Sequence, residues 1–238
     1  IGISYGDPNA GIFGSFAAMA ALAYRHRTGK GIHVDLALWE ALLVLMPEGI
    51  MDYVMNQTQP ERAGNRDRWV APHGCFKCGG DAEKWTSIVC GNETEWQALC
   101  QAMGQPELAT DKRFADAAAR KANETALEEI ITAWTSRRDR WDVTETLQKA
   151  GVAAFPSMSN KDLATNPQLE ERGFLVQKEH PEFGKRIHAG IPWQMAGSPC
   201  EVQTAAPLRG QHTDYVLHEV LGYSAAEIQK FHDDQVLN

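Results

Sequence analysis

The chain lacks a cysteine framework. Its five cysteines, Cys75, Cys78, Cys90, Cys100 and Cys200, are odd in number and irregular in spacing. That argues against a disulfide-stapled secreted domain and for a reducing, cytoplasmic home. Long apolar runs are also missing. Runs near the front such as Ala41 to Met46 are far short of a bilayer span, so no membrane partner is expected. Ile1 to Gly6 has neither a basic start nor an apolar centre and does not read as a signal peptide. No long basic run occurs and the net charge is -8, which argues against a nucleic-acid surface. An anionic small molecule stays open, because a pocket can be basic on an acidic protein. Ser4, Ser15 and Ser198 lack any Gly-x-Ser-x-Gly setting, so serine hydrolase chemistry has no support. Internal repeats and low-complexity tracts are absent. An initiator Met is absent too, and the chain reads as a fragment whose first part is missing.

What is present is a mixed helix and strand pattern on 238 residues, enough for one large domain or two small ones. Pro8 to Arg27 is rich in Ala, Gly and Ser and reads as a helix with a flat face. Arg25, His26 and Arg27 complement its negative end, and Gly29 supplies a left-handed stop. Ile32 to Leu38 alternates like a strand. Trp39 to Asn56 reads as a helix that Pro47 kinks or splits. Thr58 to Pro72 reads as a loop. Cys75–Lys77 and Trp85–Cys90 read as strands joined by the Gly79-Gly80-Asp81 turn. Asn92 caps the next helix, with Glu95 completing a capping-box pattern, and the helix ends near Gly104. Helices follow at Ala119–Arg137 and Trp141–Ala150, with Gly151 as a stop. Val152–Phe155 reads as a strand and Asn160–Asn166 as a short helix ended by Pro167. Phe174–Lys178 and Arg186–Ile191 read as strands. Ser198–Gly210 is a crossing segment, and His212–Leu221 with Ala225–His232 forms a closing helical hairpin. The region from about Cys75 to Ile191 is a compact α+β middle.

Asp7 carries the most chemical information. In Tyr5-Gly6-Asp7-Pro8-Asn9-Ala10-Gly11 it reads as an N-cap, with Pro8 at the first helical position. A carboxylate there accepts backbone N–H bonds and feels the positive end of the helix dipole, so it stays ionised. Asp-Pro caps are common, and on local chemistry alone the residue is a cap. A fixed carboxylate beside spare N–H donors is also suited to nucleophilic attack with its own anion-stabilising groups.

Four segments bear on that choice. They are Gly6 to Gly11 with its small-residue helix, Arg25-His26-Arg27-Thr28-Gly29-Lys30-Gly31 running into Val34-Asp35-Leu36, Ala71-Pro72-His73-Gly74-Cys75-Phe76-Lys77-Cys78, and Ala206-Pro207-Leu208-Arg209-Gly210-Gln211-His212-Thr213. The last is followed by Val216-Leu217 and Leu221-Gly222-Tyr223. In this order they resemble the class III CoA-transferases, the group that includes formyl-CoA transferase, carnitine CoA-transferase and 2-methylacyl-CoA racemase. The resemblance covers nearly the whole chain.

The resemblance implies an α/β protein. One part is a large domain with a Rossmann-like sheet, the other a smaller α+β domain, and two chains interlock as a homodimer. Residues 1–70 would be a helical part of the large domain and linker, 71–195 the small domain, and 196–238 a return to the large domain. The family's nucleophilic aspartate falls at Asp7. The implied substrates are an acyl-CoA and a carboxylic acid, so coenzyme A is the expected carrier, with no metal. The racemase branch is the alternative: there the same aspartate serves as an acid/base partner to a histidine outside this chain. A third reading is a non-catalytic fragment or assembly module, which would expose apolar faces of the Ala-rich helix and self-associate.

The remaining candidates each have a structural alternative. Arg62, Arg66 and Arg68 beside Trp69 suit the phosphates or adenine of CoA, or form a merely solvated loop. Formyl-CoA transferase carries a run of glycines where this chain has Asn65 to Val70, so a glycine lid is not expected. Cys75-x-x-Cys78 near His73 lacks the two further ligands that a structural zinc site needs. Glu93 lies near a functional glutamate of the racemase branch, but an acidic residue in a first helical turn explains it as well. Trp134, Trp141 and Trp193 read as core or interface residues.

Overall fold

The structure is a computed structural model describing residues 5–59, 61–80, 84–198 and 200–237. Of the sequence features named above, Ser4 and Asp81 lie outside these residues. Packing divides the chain into two compact units, Ile1–Arg68 and Trp69–Asn238.

The first unit is helical. Alanines, the strongest helix formers, outnumber the three glycines of α1 (Gly6–Thr28) and carry it for 23 residues. Its last turn holds Arg25, His26 and Arg27, and Gly29 stops it at φ 71°, its N–H donating to Arg25 O at 2.8 Å. The half-buried positions Ala10, Phe13, Gly14, Ala17 and Ala21 recur at helical spacing along one face. That face meets the segment from Leu36 onward: a Cβ at Gly6 would stand 3.2 Å from Leu38 Cδ2, and one at Gly14 3.5 Å from Leu36 Cδ2. The apolar stretch after Trp39 divides at Pro47 into α2 (Leu38–Leu43) and α3 (Pro47–Asn56), with Pro47 at the first position of α3, where its missing N–H costs nothing. The expected strand at Ile32–Leu38 does not form. Residues 30–37 are irregular and exposed, and among the described residues no neighbour completes a ladder with them.

The second unit is built on a three-stranded antiparallel sheet, β1 (His73–Lys77), β2 (Trp85–Val89) and β3 (Ala153–Pro156), in the order β1-β2-β3. Cys75 pairs with Ser87, and Ile88 with Gly74 and Ala154. Helices α6 (Glu124–Thr135) and α7 (Arg140–Lys149) pack on it, with α4 (Glu93–Ala102) against α7 and α5 (Ala117–Ala122) against α6. The expected single helix from Ala119 to Arg137 is two helices, broken at Asn123, whose amide side chain bonds Arg113 O and Ala119 O. Ile88, Leu99, Leu127, Ile131, Val143 and Leu147 are fully enclosed in the core with Trp96 and Phe114. Each such aliphatic side chain contributes about 1.5–3 kcal/mol.

Beyond the core, Pro167 does more than end α8 (Asn160–Ala164). It opens a further helix, α9 (Pro167–Glu171), capped by Asn166. A separate hairpin follows, β4 (Leu175–His180) and β5 (Gly184–Ala189), shifted by one or two residues from the expected strands. His180 secures its turn: Nδ1 accepts from the N–H groups of Glu182 at 3.1 Å and Phe183 at 3.3 Å, and the ring stacks on Phe183. Where His212–Leu221 reads as one helix, a single α-turn, α10 (Thr213–Tyr215), passes into a π-helical turn at Val216–Val220. Helix α11 (Ala225–Asp233) begins with a full Ser224–Glu227 capping box. All strand pairings described are antiparallel, and no helix among the described residues is long and apolar enough to cross a membrane.

Candidate functional site

Asp7 lies two residues deeper in α1 than the cap position. The position before the helix is Tyr5, in helical conformation and without a side-chain cap bond, so Gly6 starts the helix and Asp7 is its second residue. The physical reason is that Tyr5 and Gly6 already adopt helical geometry, and Tyr5 O is taken by the Asn9 side chain, whose Nδ2 donates at 2.7 Å. Asp7 therefore stands in the first turn, exposed, where the dipole still favours its charge. Pro8 follows it and has no N–H to give, which leaves the first-turn N–H groups of Gly6 and Asp7 as the nearest donors.

The arginine loop belongs partly to the same unit. Arg68 Nη1 donates to Asp52 Oδ2 at 2.9 Å, and Asn56 Nδ2 donates to Asp52 Oδ1 at 2.7 Å. The Asn56 amide first, and Arg68 after it, hold the Asp52 carboxyl below the usual carboxylate range. Arg68 thus ties the loop after α3 back to that helix. Arg66 N donates to Ala63 O at 3.2 Å in a tight turn, and Trp69 is 72% exposed.

In the second unit the structure assembles a group that the sequence pattern does not reveal. Arg120, 1% exposed, spans four segments. Its Nη2 and Nη1 donate to the two oxygens of Glu93 at 2.7 and 2.9 Å, Nε donates to Ala71 O at 2.9 Å, and Nη1 also reaches Phe114 O at 3.2 Å. The guanidinium lies 5.2 Å from the centroid of the Trp96 ring. This fork holds the Glu93 carboxyl below its usual range. Glu93 is therefore committed to a structural ion pair. An arginine in the alanine-rich run Ala117-Ala118-Ala119 gives no local sign that it is buried; only the flanking Asp116 cap marks the helix.

The cysteines are absorbed by packing. Cys75 Sγ lies 3.3 Å from Ser87 Oγ, and Cys78 Sγ lies 3.3 Å from Thr86 Oγ1. Burial pushes the Cys90 and Cys100 thiols up to about 12 and raises Cys78 as well. Cys200 is exposed. Among the described residues no three His, Cys, Asp or Glu side chains gather as metal ligands. Of the tryptophans read as core or interface residues, Trp134 is buried, Trp141 is 37% exposed and Trp193 is 58% exposed, so Trp193 is not a core residue of this chain.

Three hollows in the second unit measure about 790, 360 and 350 Å³. The largest lies beside Trp134, where Arg138 sits 5.0 Å from the ring centroid and pairs with Asp142. None of the three includes Asp7, Arg66 or Arg68.

Comparison with known proteins supplies the frame for these residues. The description "CoA-transferase family III" matches residues 1–213. The succinyl-CoA–D-citramalate CoA-transferase of Chloroflexus aurantiacus is 30% identical over 237 residues, covering 100% of this chain and 58% of that protein. A formyl-CoA:oxalate CoA-transferase of a Bradyrhizobium species is 28% identical, covering 100% of this chain and 60% of its own. The crystal structure of a CAIB/BAIF family protein from Brucella suis matches with a TM-score of 0.80 at 28% identity, over 92% of this chain and 56% of that one. The chain spans less than two thirds of the length of each of these relatives. With the match running from residue 1 to 213, the chain belongs to CoA-transferase family III.

Proposed function

We propose that the whole protein moves coenzyme A from an acyl-CoA to a carboxylic acid, with Asp7 as the nucleophile. The observation that carries this reading is an exposed carboxylate in the first turn of a long helix, within the Gly6-Asp7-Pro8 string of a chain that the family matches from its first residue. In the first step an Asp7 oxygen attacks the thioester carbonyl, forming a mixed anhydride and releasing CoA thiolate. The thiolate then attacks the aspartyl carbonyl, giving an aspartyl-CoA thioester and the donor's carboxylate. The acceptor carboxylate takes the aspartyl carbonyl, again forming an anhydride and freeing thiolate. Attack of that thiolate on the acceptor's acyl carbon yields the new acyl-CoA and restores Asp7. Each step exchanges acyl derivatives of similar energy, and first-turn N–H groups offer donors for the oxyanions.

The same reading makes residues 1–70 and 196–238 parts of a large domain and 71–195 a small one, in an interlocked cytoplasmic homodimer. The exposed apolar side chains of α1, among them Ile12, Phe16 and Met19, support a partner surface. Arg66 contributes a cation for CoA phosphates. Arg68, which also pairs with Asp52, contributes another. The racemase reading loses support from Glu93, which Arg120 holds in a two-pronged pair.

The test uses the intact protein with an acyl-CoA, followed by hydroxylamine or borohydride trapping and peptide mass spectrometry. A modified Asp7 peptide is expected, and Asp7→Ala should lose about 10⁴-fold or more in turnover. Turnover that survives Asp7→Ala removes the residue from this role. Exchange of an α-proton with solvent, without CoA transfer, would establish the racemase instead.

A further inference from the structure

The β4–β5 hairpin carries charge on the wrong face. Along β4 the alternate residues Val176, Lys178 and His180 turn inward, while Gln177 and Glu179 are exposed. Lys178 is thus half-buried, although Arg186 on the same face is exposed. Its register partner is Arg186, and Val176 faces His188. Two cations directly opposite each other, with Cβ atoms roughly 4.5–5.5 Å apart, destabilise a strand pair unless something negative lies between or beside them. Among the described residues Lys178 has neither an ion pair nor a side-chain hydrogen bond. Arg186 only donates to the neighbouring Lys185 carbonyl.

From this face Val176 and Lys178 line the hollow of about 350 Å³, and Lys178 also borders the one of about 360 Å³. The opposite wall is made by Trp193, Gln194 and Met195 with Cys200, Glu201 and Val202, and Gln194 Nε2 donates to Arg172 O at 3.0 Å. The end of the hollow is fixed by Gly190, whose N–H donates to Phe174 O at 2.6 Å and where any Cβ would stand 2.7 Å from that oxygen. Val176, Ile191, Trp193, Met195 and Val202 supply an apolar part of a mixed lining. Trp193 and Met195 remain 58% and 51% exposed, so apolar surface is still open to an occupant. The charged lining is Lys178 and Arg172 against Glu201.

We propose that this cleft binds a small organic carboxylate, its anionic end at Lys178 and its apolar body against Trp193 and Met195. Two cations opposed by one carboxylate leave a single positive charge, which one carboxylate cancels and a phosphate dianion exceeds. The apolar wall selects a body that inorganic anions lack. The site goes beyond the Asp7 reading and does not depend on it.

The test is isothermal titration calorimetry of the intact protein with benzoate and with benzyl alcohol, its neutral counterpart. Benzoate should bind saturably and benzyl alcohol should not. Lys178→Gln should weaken benzoate by about tenfold or more, the loss expected for a hydrogen bond to a charged group. Lys178→Arg, which keeps the charge, should restore most of it, and Asp7→Asn should leave it unchanged. The proposal falls if benzoate gives no saturable heat, if the alcohol binds as tightly, or if Lys178→Gln binds like the parent. It also falls if Lys178→Arg is as weak as Lys178→Gln. Loss of benzoate binding in Asp7→Asn with retention in Lys178→Gln would place the carboxylate at Asp7 and overturn this site.

Discussion

At the scale of single residues, Arg120 is the most consequential side chain outside the proposed chemistry. It satisfies two buried carbonyls and one carboxylate at once, and no neutral residue can replace all four bonds. Arg120→Ala should cost about 3 kcal/mol in urea unfolding, because it leaves Ala71 O and Phe114 O without donors. Arg120→Lys should recover little, since an ammonium lacks the planar fork. The pair also sets an acid limit. The Glu93 carboxyl titrates below its ordinary value in the folded chain, so its contribution is complete above about pH 4.3, the unfolded value. It fades as pH falls through the lower folded value. Glu93→Gln should therefore show a shallower loss of stability below about pH 4 than the parent. Neither Asp7's exact helical position nor Arg120's burial was legible in the sequence. The first depends on how Tyr5 enters the helix, and the second on four segments that are distant along the chain.

At the scale of elements, the legible features were those written into adjacent residues. Pro47 divides the second helix, Gly29 stops the first, and Asn92 receives the Glu95 N–H at 3.0 Å. Even there the detail shifts: Glu95 reaches back to the Gly91 N–H at 2.7 Å, one residue before the cap, and also accepts from the Asn92 amide. Asn92→Ala should cost about 1 kcal/mol and lower the melting temperature by roughly 2–4 °C, as read by calorimetry. The illegible elements were those that need a distant partner. Ile32–Leu38 has the alternation of a strand but no ladder among the described residues. Lys178 has the composition of a solvent-facing position, yet the hairpin's register turns it inward. The π-helical turn at Val216–Val220 follows a pattern that, at the level of apolar spacing, matches an ordinary helix.

At the scale of the whole molecule, the two units differ in how well they enclose their apolar residues. The second has a closed core around Trp96, Leu127 and Ile131. The first leaves all 23 residues of α1 without one that is buried, and Phe16 is 74% exposed. Apolar area of this kind seeks cover from another surface. Phe16→Glu should reduce concentration-dependent association in size-exclusion chromatography. A parent-like elution profile would show that this face is not the contact. The family and the α+β middle were readable from motif order, because short glycine-, proline- and charge-marked strings keep their sequence however far apart they fold.

The uneven state of the thiols has a practical use. Cys78, Cys90 and Cys100 are sealed away and hold their protons, whereas Cys200 is open to solvent beside Met195. A maleimide dye at neutral pH should therefore tag Cys200 first, as peptide mapping would check. That places a fluorescent reporter at the rim of the hairpin hollow without engineering a new attachment point.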